Sequence, residues 1–85
     1  MDEENWLGLT VRTRDATVLG VVAGEFAAGP LTGRLRVERE YAAGIAVYAI
    51  PRRAVVRRQR DSLLLDVTLT VARGRWLMHV RQSGP

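Results

Sequence analysis

Five arginines close together are the residues of this chain whose type and spacing most clearly favour a chemical role. They are Arg52, Arg53, Arg57, Arg58 and Arg60. A guanidinium group binds phosphate and carboxylate groups through paired hydrogen bonds, so a surface that collects several of them attracts polyanions. Tyr41 or Tyr48 would add an aromatic face on which a base can stack. One hypothesis is therefore an RNA- or ribosome-associated factor that binds phosphates through the segment Arg52–Arg60.

The arginine content of the whole chain favours a plainer interpretation of this segment. All 13 basic residues are arginine and none is lysine, a bias that is typical of a GC-rich genome. Residues 1–30 hold five acids and two arginines, whereas residues 31–60 hold eight arginines and two glutamates. Glu38, Glu40 and Asp61 are close in sequence and would neutralise part of the segment. Charged residues at a strand edge also discourage aggregation, which is a structural role.

The remaining polar residues match no catalytic or metal-binding pattern. His79 is the single histidine, and the chain has no cysteine, so we expect His79 at a surface position in a strand. Ser62 follows Asp61 in a predicted turn, where both residue types bond to the backbone. The glycines match neither the phosphate-binding loop nor the dinucleotide fingerprint. We therefore expect no enzyme activity, no cofactor and no metal.

The length of the chain sets a limit of one small domain. With 85 residues it has room for one core, so we expect a single domain over residues 1–85, with flexible ends at 1–6 and 82–85. The lack of cysteine fits a reducing cytoplasm. The first residues are acidic, unlike a signal peptide, and the most apolar window is about half the roughly 20 residues of a membrane-spanning helix. We expect a cytoplasmic protein with no membrane segment.

The elements that position the arginines centre on an apolar stretch from Gly44 to Ile50. Its residues are apolar or small on both faces, which predicts a strand buried on one side and largely covered on the other. Pro51 ends this strand, because proline lacks the N–H that a neighbouring strand needs. The chain must turn there before Ala54, Val55 and Val56 return to the same core.

Alternation of apolar and polar residues predicts strands along the rest of the chain. The other predicted strands span residues 9–14, 18–26, 34–40, 54–59, 63–72 and 75–81. Gly20 and Gly24 share a face of their strand, which indicates bending or close backbone approach. We expect the last two strands to form a terminal hairpin, and a short helix within residues 69–81 is the open alternative. The pattern predicts an all-β fold, a small single-domain antiparallel β-barrel of about six to seven strands.

Three segments also carry a family resemblance. Residues 9–15 and 18–22 resemble a strand, an Asp-containing turn and a Gly-x-Val strand, and residues 47–55 are similar to a V-x-V-P-x-x-x-V corner. Residues 61–68 resemble a last core strand. Together they resemble the PRC-barrel domain family, which includes barrels of the photosynthetic reaction-centre H subunit and of a ribosome maturation factor. The resemblance implies a non-catalytic β-barrel used for protein or ribosomal contacts, with no catalytic residues to transfer.

A surplus of apolar residues favours a second hypothesis, a protein-interaction module. Both faces of residues 44–50 and 63–81 are rich in apolar side chains, more than an isolated barrel of this length needs to bury. We therefore expect self-association, with a homodimer favoured, or binding to a protein partner. The candidate contact residues are Trp6, Leu64, Trp76 and Leu77.

Overall fold

The computed structural model describes residues 5–82, which form seven strands, one α-helix and a short 3-10 turn. The elements are β1 (Thr10–Arg12), β2 (Val18–Glu25), β3 (Leu35–Tyr41), β4 (Gly44–Ile50), the 3-10 turn (Arg52–Ala54), β5 (Val55–Arg58), β6 (Ser62–Leu65), α1 (Leu69–Trp76) and β7 (Leu77–Gln82). The predicted all-β fold class is confirmed, with one short helix added. Of the ends expected to be flexible, residues 1–4 and 83–85 lie outside the described residues.

All seven strands belong to one sheet, in the order β5-β6-β1-β2-β3-β4-β7. Most neighbouring pairs are antiparallel, but β1 and β6 run parallel, with Val11 opposite Leu63. This pairing differs from the wholly antiparallel sheet that we expected, because alternation of residues along a strand carries no information on its direction. Within residues 5–82 the sheet is not closed into a barrel, and β5 and β7 are its two edges.

The connection from β4 to β5 shows that the sheet is strongly curled. These strands are five positions apart in the sheet, which would be about 24 Å in a flat sheet at the usual strand spacing. Residues 51–54 join them, and a linker of that length spans at most about 18 Å when fully extended. The 3-10 turn at Arg52–Ala54 shortens it further. Only a curled sheet brings the two strands close enough.

The curled sheet encloses one apolar core to which most elements contribute. The fully or nearly fully buried members are Val11, Leu19, Val22, Leu35, Val37, Ala46, Tyr48, Ile50, Leu63, Leu65 and Ala72. Every residue of β4 except Ile45 is buried, which confirms the prediction that this strand is covered on both faces. Pro51 follows it directly and is also buried, at the corner that we predicted.

The region from residue 63 to residue 76 differs from the predicted long strand and hairpin. The strand β6 ends at Leu65, and α1 covers Leu69–Trp76. The Thr68 side chain caps the helix by accepting a hydrogen bond from the Val71 backbone N–H at 3.4 Å. Leu69, Ala72 and Trp76 pack on the core, and their spacing matches one face of a helix. The alternation of Leu69 and Val71 with polar residues obscured this helical spacing in the sequence.

Because α1 replaces the hairpin turn, β7 pairs with β4 rather than with the preceding strand. Leu77 lies opposite Tyr48 and Val80 lies opposite Ala46. The helix contacts both β4 and β7, and its Ala72 is completely buried. Thus α1 covers the opening that the unclosed sheet leaves next to its β7 edge.

The prediction of close backbone approach is confirmed at Gly20 of β2. A Cβ atom at this position would lie 2.5 Å from the backbone oxygen of Glu38 on β3, well inside van der Waals contact. The register of β2 also shifts on both sides of this region, at Leu19 against β1 and at Ala23 against β3. Such bulges increase strand twist and bend the sheet.

Candidate functional site

The five candidate arginines do not form a single group, because Arg52 is held on its own. Its Nε atom donates to the Glu25 carboxylate at 3.0 Å, and its Nη2 atom contacts the same oxygen. The guanidinium carbon also lies 4.7 Å from the centroid of the Trp6 ring, within the range of a cation–π contact. Arg52 therefore links the end of β2 to the segment before β1, and its charge is already compensated.

This contact forms one wall of an open cleft of about 560 Å³. The lining residues are Asn5, Trp6, Leu7, Val22, Gly24, Glu25, Leu35 and Arg52. Among the described lining residues, the one cation, Arg52, is paired with the one carboxylate, Glu25. Because these two charges cancel, the described part of the lining has no excess charge with which to attract an ion.

Arg57 and Arg58 belong to β5, which is an edge strand of the sheet. Arg57 is opposite Leu64 of β6, and Leu64 is opposite Arg12 of β1. Residues opposite each other in neighbouring strands point to the same face, so Leu64 lies in a row between two exposed arginines. Arg58 is opposite the buried Leu63 and therefore belongs to the other face of β5. Sequence reasoning missed Arg12, because nothing local predicts the parallel pairing of β1 with β6.

Arg53 lies at a second cleft, of about 370 Å³, between the 3-10 turn, β5 and α1. The residues that line this cleft, called here the helix cleft, are Pro51, Arg53, Ala54, Val56, Asp66, Val67, Arg75 and Trp76. Asp66 is paired with Arg14 at 3.6 Å, so the charges of Arg53 and Arg75 remain in excess. Sequence reasoning also missed Arg75, which only the helix α1 brings to this place.

The acids expected to neutralise the arginines are occupied elsewhere or exposed. Glu38 pairs with Arg36 of its own strand at 3.4 Å. Within residues 5–82, none of the candidate arginines except Arg52 forms an ion pair. Those without one are Arg53, Arg57, Arg58 and Arg60, and all four are exposed. The segment therefore presents uncompensated positive charge on β5 and the turn that follows it.

The four residues predicted for self-association lie in different surroundings. Trp6, Trp76 and Leu77 are half-buried and pack against the core, so part of their apolar surface stabilises the fold itself. Trp6 faces Arg52, Trp76 lines the helix cleft, and Leu64 lies in the row of arginines. The structure does not bring these four side chains into one patch.

Exposed apolar side chains lie on both edge strands, Val56 on β5 and Met78 and Val80 on β7. Met78 and Val80 are 42% and 43% exposed, and Val71 of the adjacent helix is 36% exposed. Met78 is a bulge residue with no partner on β4, since Leu77 and His79 pair with the consecutive residues Tyr48 and Val47. His79 is exposed, as predicted for a surface strand position. Sequence reasoning assigned β7 to a hairpin and so did not predict this edge.

Among the described residues, two titratable side chains, Tyr48 and Asp15, have shifted pKa values, and neither is part of a catalytic pair. Burial raises the pKa of Tyr48 above its ordinary value, and the charges of Arg73 and Arg39 offset part of this shift. The Thr13 hydroxyl donates to the exposed Asp15 carboxylate and lowers the pKa of Asp15. Both effects have local structural causes.

The polar residues considered for chemistry have structural contacts. Ser62 is buried at the start of β6 rather than in the predicted turn, and its hydroxyl bonds to the Gln59 side chain at 3.0 Å. In the described part of the chain, no three His, Cys, Asp or Glu residues are grouped so that they could hold a metal ion. No helix within residues 5–82 has the length and apolar character needed to cross a membrane.

Comparison of the chain with protein-family models, with curated proteins and with solved structures gives no match. A function must therefore be inferred from the surfaces of the molecule itself.

Proposed function

We propose that this protein is a non-catalytic interaction module that self-associates through the free edge of β7. A second copy of the chain would add its own β7 to the sheet, most simply as an antiparallel pair around a two-fold axis. The observation that carries this proposal is the free edge of β7, which carries the exposed Met78 and Val80 and directly follows α1.

The chemistry of the edge favours a second copy as its occupant. An edge strand presents N–H and C=O groups without strand partners, which is a template for another strand. A two-fold interface requires a surface that is complementary to itself, and a strand paired antiparallel with its own copy meets this condition. A chain of 85 residues buries a smaller fraction of its surface than a larger domain does, so a shared sheet adds apolar burial to that of its own core.

The family resemblance is part of the same proposal. A curled sheet with a proline corner after β4 supports a PRC-barrel-like module, in which the opening beside β7 is covered by α1. Such a module would act through surface contacts, and a reducing cytoplasm suits a chain without cysteine.

Sedimentation velocity over a wide range of protein concentration tests self-association. We expect the sedimentation coefficient to rise from that of a monomer to that of a dimer as the concentration increases. Hydrogen exchange at the two ends of this range locates the interface, since amides of β7 should be protected only at high concentration. A monomer at every concentration, or protection of β5 instead of β7, would contradict the proposal.

A second candidate function is binding of RNA, including ribosomal RNA, through the arginines of β5. The observation that favours it is the uncompensated charge of Arg57, Arg58 and Arg60, together with Arg12 in the row across Leu64. Arg12 and Arg57 lie on one face, two strands apart, and guanidinium groups on one face of a sheet can bind phosphates of the same nucleic-acid strand.

The salt dependence of binding tests this second candidate. A fluorescent single-stranded RNA should bind with an affinity whose logarithm falls linearly with the logarithm of salt concentration. The slope should be about −0.7 for each phosphate contacted, so roughly −2 to −3 for three or four arginines. Binding that does not change with salt, or no binding at low salt, would exclude an electrostatic RNA surface.

A further inference from the structure

The helix cleft has the composition of a site for an aromatic ring that carries a phosphate. We propose that it holds one nucleotide of a single-stranded nucleic acid, with the base against Trp76 and the neighbouring phosphate on Arg53 and Arg75. The inference deepens the second candidate function and rests on it, because it assigns a base-binding position to the same basic surface.

The walls of the cleft divide into an apolar part and a charged part. Pro51, Ala54 and Val67 are half-buried or buried and form an apolar lining with Trp76. A tryptophan ring is a platform for any base, because every base has an aromatic face, and this contact replaces water on both surfaces. The volume of about 370 Å³ is within the range of small-molecule sites.

The charges around the cleft favour an anion as the other part of the ligand. Arg53 and Arg75 are exposed, come from different elements, and form no ion pair within residues 5–82. Two guanidinium groups on separate walls can donate to different oxygens of one phosphate. The carboxylate of Asp66 faces Arg14 at 3.6 Å, so it does not cancel either of these charges.

The position of the cleft favours a strand over a free nucleotide. Val56 lines the cleft and lies in β5, immediately before Arg57 and Arg58. A strand with one base in the cleft could therefore continue along β5, with its next phosphate on one of these two arginines, which lie on opposite faces of β5. A free nucleotide would use the cleft but leave the β5 arginines without a role. The cleft around Arg52 does not offer the same chemistry, since Glu25 already neutralises that arginine.

The experiment compares ligands and variants in one fluorescence-anisotropy assay at low salt. The probes are a labelled short oligouridylate, the same ribose-phosphate strand without bases, and uridine monophosphate as a competitor. The variants are Arg53→Gln and Arg75→Gln, with Arg73→Gln as the matched control. Arg73 is exposed on the same helix but does not line the cleft, so its substitution removes one charge without changing the site.

We expect the strand without bases to bind about 5- to 150-fold more weakly, which is the effect of removing one stacked base. Arg53→Gln and Arg75→Gln should each weaken oligouridylate binding about three- to tenfold, because each variant loses one of the two guanidinium groups that bind the phosphate. Arg73→Gln should have little effect. Oligouridylate should also quench tryptophan fluorescence in a Trp6→Phe background, where Trp76 is the remaining indole.

The possible results separate this inference from the function on which it rests. Equal affinity for the strands with and without bases, with a steep salt dependence, would overturn the base site and leave the RNA surface standing. No binding of any strand would overturn both. Uridine monophosphate binding as tightly as the oligomer would show a free-nucleotide site and overturn the assignment to a strand. Equal decreases in affinity in all three arginine variants would mean that general charge, rather than the cleft, holds the phosphate.

Discussion

The two edges of the sheet differ in the features that decide whether a strand can accept a partner. The edge β5 is four residues long and carries the exposed Arg57 and Arg58, whereas β7 is six residues long and exposes Met78 and Val80. Short length and charge are common means by which proteins protect an edge from pairing. By these criteria β5 is protected and β7 is open.

One protective feature is common to both edges and so does not explain the difference. Each strand has a bulge at an exposed apolar residue, Val56 in β5 and Met78 in β7. The edges therefore differ in strand length and in the number of arginines, which is two in the four residues of β5 and one, Arg81, in the six residues of β7. The charge that would oppose pairing of two copies of β5 would also attract phosphates, so in these proposals one set of side chains has both effects. The two proposed contacts then use opposite edges and do not compete for the same surface.

The largest effect should come from placing a charge on the open edge. Met78→Arg should raise the dissociation constant of the dimer about 100-fold or more, because like charges of two copies would face each other across the shared sheet. Val56→Arg is the matched control, since it is also an exposed bulge residue without a strand partner. Sedimentation velocity of both variants measures the difference.

Both substitutions remove exposed side chains, so the free energy of unfolding of the monomer should change little. If Val56→Arg separates the subunits as effectively as Met78→Arg, then β5 also takes part in the interface and the two edges are not distinct. If neither variant changes the sedimentation, the dimer uses another surface, and the half-buried Trp6 and Leu64 become the next residues to test.

The second effect concerns α1, which contacts β7 and forms one wall of the helix cleft. Ala72→Leu should lower the free energy of unfolding by about 1–3 kcal/mol, because Ala72 is completely buried and larger side chains strain a packed core. Val71→Leu, at the exposed neighbouring position, is the control and should change stability by less than about 0.5 kcal/mol. Urea unfolding followed by circular dichroism measures both values.

The Ala72→Leu and Val71→Leu variants also allow hydrogen exchange to be compared between β7 and β5. Because α1 contacts β4 and β7, displacing it should increase hydrogen exchange in β7 more than in β5. Equal increases at both edges would show that α1 supports the whole sheet rather than the region of β7.

The features that sequence reasoning predicted are those that depend on adjacent residues. The apolar run from Gly44 to Ile50 and the proline after it determine a covered strand and a corner without help from the rest of the chain. The same holds for β3, where the alternation of apolar residues matches the buried face. In β2 simple alternation fails, because the register shift beside Leu19 places Leu19 and Val22 in the core and leaves Val18 exposed. Gly20 was predicted to allow close approach, and its contact with the Glu38 backbone confirms this.

The features that it missed depend on contacts between distant parts of the chain. Arg52 is paired with Glu25, which lies 27 residues earlier, and Arg12 comes near Arg57 only through the parallel pairing of β1 with β6. The sequence of α1 is compatible with both a strand and a helix. Packing of Ala72 in the core favours the helix. Local propensity is a weak guide where tertiary burial decides.

The third effect is a change in the salt dependence of RNA binding when arginines on and near β5 are replaced. Arg57→Gln combined with Arg12→Gln should reduce the salt-dependence slope of RNA binding by about 1.4, or about 0.7 for each phosphate that is no longer bound. The dimer should be unaffected, because both residues are exposed and neither belongs to β7. Arg73→Gln is the control for removal of charge. An unchanged slope in the double variant would remove the row across Leu64 from the RNA surface, and weaker dimerisation would contradict the separation of the two edges.

The smallest effect is a pH dependence of stability that we expect from β4, the strand next to β7, and not from β6, the strand next to β5. Next to β7, Tyr48 lies opposite Leu77, and burial raises its pKa despite the nearby charges of Arg73 and Arg39. Next to β5, the strand β6 presents Leu63, Leu64 and Leu65, which do not titrate. A raised pKa means that the folded state retains the phenolic proton more strongly than the unfolded state. The stability that this residue contributes is therefore complete below the ordinary tyrosine value of about 10 and is lost as the pH rises through the folded pKa.

Tyrosinate absorbance of the Tyr41→Phe variant follows this titration directly, since Tyr48 is then the single tyrosine. We expect a midpoint above about 10 and a decrease in unfolding free energy over the same pH range. The Tyr48→Phe variant should lose less stability over that range, because it has no phenolic proton to release. A midpoint below the ordinary value would mean that Arg73 and Arg39 outweigh burial. The side chain would then reach solvent at the β7 side of the core, and the opening beside β7 would not be covered by α1 as the structure indicates.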